Sequence, residues 1–167
     1  MLAARKRLVF DELLRIQLLL LARKRQLELA TQGISHDFSG DLVNKLIESL
    51  PFEPTNAQSK AIAEIFQDLR ASCPMHRLLQ GDVGSGKTLV AIAALLSVVE
   101  AGKQGSIMAP TEVLAEQHFV SAKELLGSFI LMDSTNLLGE RKLNISLLTS
   151  QTSEKDTKEI RATLRSG

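Results

Sequence analysis

Aromatic and sulfur-bearing side chains are scarce in this sequence. It contains no tryptophan and no tyrosine, and six phenylalanines among 167 residues. Stacking on a nucleotide base would therefore fall to phenylalanine, histidine or arginine. The single cysteine, Cys73, excludes an internal disulfide and is typical of a reducing compartment. The most apolar run, residues 16–22, is far shorter than the roughly 20 residues of a membrane-spanning helix. These absences predict a soluble, cytoplasmic protein with no membrane partner.

Net charge is also small, at +1, but it is unevenly distributed. Residues 1–25 carry seven lysines and arginines against two acids, a net charge of +5, which leaves −4 for the remainder. A basic face for nucleic acid is one interpretation, and a solvated helix flank is the commoner one. The basic residues are Arg5, Lys6, Arg7, Arg15, Arg23, Lys24 and Arg25.

Glycine and proline are missing from residues 4–32, which predicts one long N-terminal helix that ends before Gly33. A turn-rich connector follows, and Asp41 is predicted to cap a short helix over residues 42–49. Thr55 or Asn56 is predicted to cap the next helix.

From Pro74 onward, short apolar segments alternate with helical ones. Strands are predicted at residues 75–80, 105–110 and 143–149, whereas residues 127–142 receive no assignment. Strands that alternate with helices in this way predict an α/β fold with a parallel sheet.

Residues 81–88, GDVGSGKT, match the phosphate-binding pattern G-x-x-x-x-G-K-[ST] without a mismatch. The glycines allow a tight turn that aims backbone N–H groups at a polyphosphate, and the following helix adds the positive end of its dipole. Lys87 would reach the outer phosphates and Thr88 would ligate Mg²⁺, so these two residues are the catalytic candidates and Thr88 the metal ligand. The alternative is a glycine-rich turn that binds nothing. The predicted nucleotide-binding residues of this loop are Gly81, Asp82, Val83, Gly84, Ser85, Gly86, Lys87 and Thr88, with ATP and Mg²⁺ as cofactors.

Hydrolysis also needs an acid that holds the Mg²⁺, usually at the end of a later strand. The sequence has one Asp-Glu pair, Asp11-Glu12, which lies upstream of the loop and within a helical pattern. We interpret it as a pair of solvated helix acids. The acid that this chemistry requires is therefore expected outside these 167 residues.

Four segments resemble the first helicase lobe and its flanking helix in the RecG family, bacterial ATP-dependent DNA helicases of superfamily 2. The resemblance covers residues 1 to about 126 in order, and the end of the third predicted strand is more loosely similar. The transcription-repair coupling translocases share the GDVG loop and are the nearest alternative family. The four segments are ARKRLVFDELLRIQLLLLARKR (4–25), LPFEPTNAQSKAIAEIFQDL (50–69), PMHRLLQGDVGSGKT (74–88) and MAPTEVLAEQH (108–118).

The resemblance implies roles for four further residues. Gln58 corresponds to the glutamine that reads the adenine edge, and Phe52 is a candidate to stack beside it. Thr111 and Glu112 correspond to the motif whose hydroxyl and helix N-terminal amides contact the DNA backbone. Thr149 is followed by Ser150-Gln151 where the family usually has glycine, and residues 127–142 are longer than in the family. No DNA contact is therefore assigned to the third strand.

The resemblance also implies the domain organisation and the activity. Residues 1–40 would be a linker helix and connector, and residues 41–167 part of a first RecA-like lobe that ends before the Asp-Glu box. The expected function is ATP-driven translocation on branched or forked DNA by a monomer. Its second helicase lobe and wedge domain would lie outside this chain, which alone is expected to be inactive. A non-motor nucleotide-binding module and a structural remnant are the alternatives.

Overall fold

The computed structural model describes residues 2–30, 32–132 and 139–166. Within these residues the chain forms six α-helices and one two-stranded sheet. The helices are α1 (Leu2–Ala30), α2 (Asp41–Ser49), α3 (Asn56–Arg70), α4 (Lys87–Glu100), α5 (Glu112–Leu126) and α6 (Glu154–Ser166), and the strands are β1 (Ile130–Met132) and β2 (Glu140–Lys142).

The long N-terminal helix predicted from residues 4–32 is present as α1. Its apolar side chains are mostly exposed, with Phe10 at 57% and Leu19 at 72%. The other described residues leave this apolar surface exposed. No helix in the described ranges combines the length and the apolar character that crossing a membrane requires.

The core lies where α2, α3 and α4 meet. Leu46 of α2 and Ile92 and Leu96 of α4 are among its most deeply buried side chains. α4 is apolar on most of its surface because it is covered from several sides, as helices of α/β folds are. Ser97 is fully buried, and its hydroxyl donates to the Ala93 carbonyl at 3.0 Å, so the core holds this polar group without an unpaired donor.

The connector between α1 and α2 packs against the end of α3. The Gly33 amide donates to the Ser72 carbonyl at 2.8 Å, and the His36 amide donates to the Leu69 carbonyl at 2.9 Å. Phe38 is buried in the core, under the Arg70 guanidinium. The connector is therefore held to the rest of the fold, while the predicted boundary at residue 40 stays a prediction.

The start of α2 is capped differently from the prediction. Gly40, with φ 95°, is the N-cap, and Asp41 is the first helical residue. The carboxylate of Glu100, at the end of α4, accepts hydrogen bonds from the backbone N–H groups of residues 39–42. The cap thus comes from a residue about 60 positions along the chain.

The predicted parallel sheet is not formed among the described residues. Residues 75–80, 105–110 and 143–149 carry no strand assignment, and no ladder joins them. A strand is stable only when a neighbour satisfies its backbone groups, and such pairing is non-local. The RecA-like α/β lobe is supported by its helices and phosphate loop, and the sheet itself stays a prediction.

One antiparallel pair forms instead in the segment that received no assignment. β1 pairs with β2 in the register Ile130 with Lys142, Leu131 with Arg141 and Met132 with Glu140. The Leu143 amide extends the contact by donating to the Phe129 carbonyl at 3.2 Å.

Candidate functional site

The loop 81–88 leads directly into α4, as its sequence pattern predicts. Gly84 has φ 79° and Gly86 has φ 80°, a left-handed conformation that side-chained residues rarely adopt. At Gly86 a Cβ would also collide with the side-chain nitrogen of Gln58, which would have to move away. These two positions therefore need glycine for the loop to turn into the helix.

The ammonium of Lys87 lies inside this loop. Its Nζ donates to the Gly81 carbonyl at 2.8 Å and to the Asp82 carbonyl at 2.7 Å. A phosphate that entered the loop would replace neutral carbonyl acceptors with anionic oxygens, which bind an ammonium more strongly. Lys87 is thus already positioned within the loop. When a phosphate binds, the Lys87 ammonium would exchange the Gly81 and Asp82 carbonyls for phosphate oxygens.

Thr88 follows as the second residue of α4 and is half-buried. Among the described residues none forms a hydrogen bond with its hydroxyl. The hydroxyl is therefore available as an oxygen ligand, which is the chemistry that Mg²⁺ prefers. The donor set fits a Mg²⁺ that takes one protein hydroxyl and completes its shell with phosphate oxygens and water.

Gln58 joins the start of α3 to the phosphate loop. Its Oε1 accepts from the Thr55 amide at 2.8 Å, and its Nε2 donates to the Ser85 carbonyl at 2.9 Å. Thr55 in turn caps α3 by accepting from the Gln58 amide, which confirms the first of the two predicted caps. Both ends of the side-chain amide are engaged by protein, so reading an adenine edge would require them to exchange partners. The adenine-reading role stays a prediction.

Phe52 is 57% exposed and borders a shallow surface depression of about 380 Å³ between Pro51 and Pro54. No described contact joins its ring to Gln58 or to the phosphate loop. Its stacking role stays a prediction that rests on the resemblance.

The Asp11-Glu12 pair lies in the middle of α1, as interpreted from the sequence. The Arg7 guanidinium donates to the Asp11 carboxylate at 3.3 Å across one helical turn. Within the described ranges, no group of three or more His, Cys, Asp or Glu side chains is arranged to hold a metal ion. The magnesium candidate in this part of the chain is therefore Thr88 rather than an acidic cluster.

Thr111 and Glu112 lie together at the start of α5. Thr111 is the N-cap, and its hydroxyl oxygen accepts from the Leu114 amide at 3.3 Å. A capping hydroxyl keeps its own proton, so Thr111 remains able to donate to a phosphate. The DNA-contact role predicted for these two residues stays a prediction.

The Glu112 carboxylate is hydrogen-bonded by protein donors. It accepts from the Ser150 amide at 3.0 Å, from the Ser150 hydroxyl, and from the Gln151 side-chain nitrogen at 3.1 Å. The hydrogen bond from the Ser150 hydroxyl is the main cause that holds the pKa of Glu112 below its ordinary value. Sequence reasoning missed this contact, since nothing local relates residues 38 positions apart.

Residues 55–164, more than half of the chain, match the family model described as DEAD/DEAH box helicase. The chain belongs to the DEAD/DEAH box helicase family. The matched range begins at the α3 cap and includes the phosphate loop, Thr111 and Ser150.

Curated relatives of this chain include ATP-dependent DNA helicase RecG of Synechocystis sp. and of Bacillus subtilis. Each is 43% identical over 164 residues, which is 98% of this chain but 18% and 22% of those proteins, respectively. RecG of Staphylococcus aureus is 39% identical over the whole chain and 22% of its own length. The resemblance predicted from the sequence is confirmed.

A solved structure of RecG bound to a three-way DNA junction is similar in fold to this chain. The TM-score is 0.76 at 39% identity, over 87% of this chain and 18% of that chain. This chain thus spans about a fifth of the length of the RecG proteins that it matches.

Proposed function

We propose that this chain is the nucleotide-binding part of an ATP-dependent DNA helicase that acts on branched DNA. One observation carries the proposal: the loop 81–88 enters α4 with Lys87 donating to two carbonyls of its own loop. That arrangement presents an ammonium, a helix N-terminus and the Thr88 hydroxyl at one place. Together these groups suit the triphosphate of a Mg-nucleotide.

Each group has a distinct role toward the nucleotide. The loop amides and Lys87 would bind the phosphates, and Thr88 would hold Mg²⁺. When bound, Mg²⁺ neutralises the charge that develops on the transferred phosphoryl group. Gln58 would select adenine after releasing Thr55 and Ser85, so base recognition and loop conformation would change together. Phe52 is the candidate for stacking.

DNA would lie along the start of α5. The Thr111 hydroxyl and the free backbone amides of the first helical turn are suited to phosphate oxygens, which position a strand without reading its sequence. RecG, to which the chain is similar, has been solved in complex with a three-way DNA junction. We extend branched DNA to this chain on the strength of that likeness.

The domain arrangement is part of the same proposal. Residues 1–40 would be a linker helix and connector, and residues 41–167 part of a RecA-like lobe that works as a monomer in the cytoplasm. Cys73 is a free, exposed thiol, which suits a reducing compartment. The Asp-Glu pair of this sequence lies in α1, and no Asp-Glu pair occurs after the phosphate loop within these 167 residues. We therefore expect it to bind nucleotide and to hydrolyse it very slowly.

DNA-stimulated ATP hydrolysis by the 167-residue chain tests the proposal. We expect a rate far below one turnover per second, the lower end of ordinary enzyme turnover. The residual rate should fall further in Lys87→Ala and stay unchanged in Lys103→Ala, which removes an exposed lysine beyond α4. A Lys87-dependent rate near one per second would show that the chain is a complete motor. Nucleotide binding with no affinity for forked DNA would favour a non-motor module.

A further inference from the structure

The segment that leads into the phosphate loop is not held by a sheet among the described residues. No hydrogen bond between backbone groups joins residues 75–80 to another described part of the chain. The side chains of Met75 and Leu79 pack against the core, whereas Leu78 is 87% exposed. Such alternation is typical of an extended segment, in which every second side chain lies on the same side. Arg77 lies between the two packed positions, on the side that faces the core.

The Arg77 guanidinium joins this segment to α3. Its Nε donates to the Asp68 carboxylate at 2.7 Å, and its Nη1 donates to the Glu64 carboxylate. The two acids are one helical turn apart, so a single planar guanidinium reaches both. The three side chains are between 32% and 40% exposed, and ion pairs this exposed add little to stability by themselves. What they define is position, at a point four residues before Gly81.

α3 contacts the phosphate loop again at its other end. Gln58, in the first turn of α3, donates to the Ser85 carbonyl at 2.9 Å, whereas Asp68 lies in the last turn. Residues 77–85 therefore run back along α3 from its last turn to its first. The two contacts differ in what nucleotide binding would do to them. Gln58 would release the loop to read adenine, but Arg77 is paired with acids and would keep its partners.

Charge excludes a direct role for Arg77 in attracting the nucleotide. The guanidinium carries one positive charge and its two carboxylates carry two negative ones, so the cluster has a net charge of −1. A cluster of this sign repels a polyphosphate. A contribution of Arg77 to nucleotide binding would therefore come from geometry.

We propose that Arg77 is a positioning residue for nucleotide binding, whose ion pairs with Glu64 and Asp68 hold residues 77–80 against α3 so that the loop 81–88 keeps its phosphate-binding shape. This inference rests on the proposed nucleotide binding of the chain. It gives α3 a second role besides carrying Gln58, as the rigid element against which the loop is set. Arg77 itself does not touch the nucleotide.

The test measures the dissociation constant of Mg-ADP for the 167-residue chain by titration calorimetry, well below the melting temperature. Arg77→Ala removes both ion pairs, and a double variant, Glu64→Gln with Asp68→Asn, removes them from the side of α3. Lys60→Ala removes an exposed cation elsewhere on α3 and is the matched control. The NMR amide signals of the loop glycines report the shape of the loop. Urea denaturation reports the stability of each variant.

We expect Arg77→Ala to weaken Mg-ADP binding about three- to fivefold and to shift the signals of the loop glycines. The double variant should weaken binding by a similar factor, although it removes two negative charges that repel the nucleotide. Arg77→Lys, which can keep one ion pair, should lie between wild type and Arg77→Ala. Adding Arg77→Ala to the double variant should cost little more, because both remove the same attachment. Lys60→Ala should bind Mg-ADP like wild type.

Two outcomes overturn the inference while leaving the proposed function intact. Tighter Mg-ADP binding by the double variant would mean that this cluster acts on the nucleotide through its charge. Unchanged Mg-ADP affinity in Arg77→Ala, whatever its stability in urea, would mean that the ion pairs serve the fold alone. If the wild-type chain does not bind Mg-ADP, the proposed nucleotide binding fails and this inference fails with it.

Discussion

The cap on α2 gives the sharpest stability prediction, because one side chain from α4 serves four backbone donors. In Glu100→Ala the amides of residues 39–42 lose their acceptor, at distances of 3.1, 2.9, 3.1 and 3.3 Å in chain order. The Ser39 amide is exposed and can bind water instead, and the Asp41 amide also donates to the Ser39 hydroxyl at 3.3 Å. The Gly40 and Leu42 bonds are part-buried, and an unpaired buried donor costs about 1–3 kcal/mol. With losses typical of N-caps, we expect Glu100→Ala to lower the free energy of unfolding by about 2–3 kcal/mol.

Thermal unfolding followed by circular dichroism is the assay. A loss of this size lowers Tm by roughly 5–10 °C in a domain of this length. Glu100→Gln keeps one acceptor oxygen but loses the negative charge at the N-terminus of α2. We expect it to lower the free energy of unfolding by about half as much as Glu100→Ala. Glu48→Ala, an exposed carboxylate on α2 itself, is the matched control and should change stability by less than about 0.5 kcal/mol. If Glu100→Ala is no worse than Glu48→Ala, the cap does not stabilise α2 and the reasoning is refuted.

Two further predictions concern the phosphate loop and the α5 contact. Gly86→Ala should cost roughly 1–2 kcal/mol for its left-handed φ, plus about 1 kcal/mol because its methyl displaces the Gln58 amide. Gly102 has a similar φ of 71° with open space around it, so Gly102→Ala should cost the backbone strain alone. If urea denaturation shows equal losses of unfolding free energy for Gly86→Ala and Gly102→Ala, the displacement of the Gln58 amide has no cost and this prediction is contradicted. The pKa of Glu112, held down mainly by the Ser150 hydroxyl, should lie below 4.5 in an NMR titration. Because the pKa of Glu112 is lower in the folded chain, its hydrogen bonds stabilise the fold above pH 4.5, and this contribution disappears as pH falls through the folded pKa. A titration midpoint at or above 4.5 would contradict the predicted lowering of the Glu112 pKa.

Local sequence signals predicted the phosphate loop and the start of α3. The glycines of the loop and Lys87 were predictable because their geometry depends on backbone conformation and spacing within a few residues. Thr55 was predicted as one of two possible caps for the same reason. Asp11-Glu12 was interpreted correctly as a helix pair because its neighbours continue a helical period.

Contacts between distant residues were not predictable in the same way. The Glu100 cap and the Glu112 attachment each join residues that no pattern links, and sequence reasoning gave the first of these roles to Asp41. The three predicted strands have a composition suited to β-structure, but a hydrogen-bonded ladder also depends on which segments lie side by side in the fold. Residues 130–132 pair with residues 140–142 as antiparallel strands, whereas residues 75–80 pair with no described segment.

The most direct test of the central claim is whether Mg-ADP stabilises this chain through Lys87. At nucleotide concentrations about 100 times the dissociation constant, binding should add about 2.7 kcal/mol and raise Tm by roughly 5–10 °C. Lys87→Ala should abolish that shift, and Lys103→Ala should leave it intact. A melt that does not respond to Mg-ADP, or a shift that survives Lys87→Ala, would contradict the assignment of residues 81–88 as a working nucleotide site.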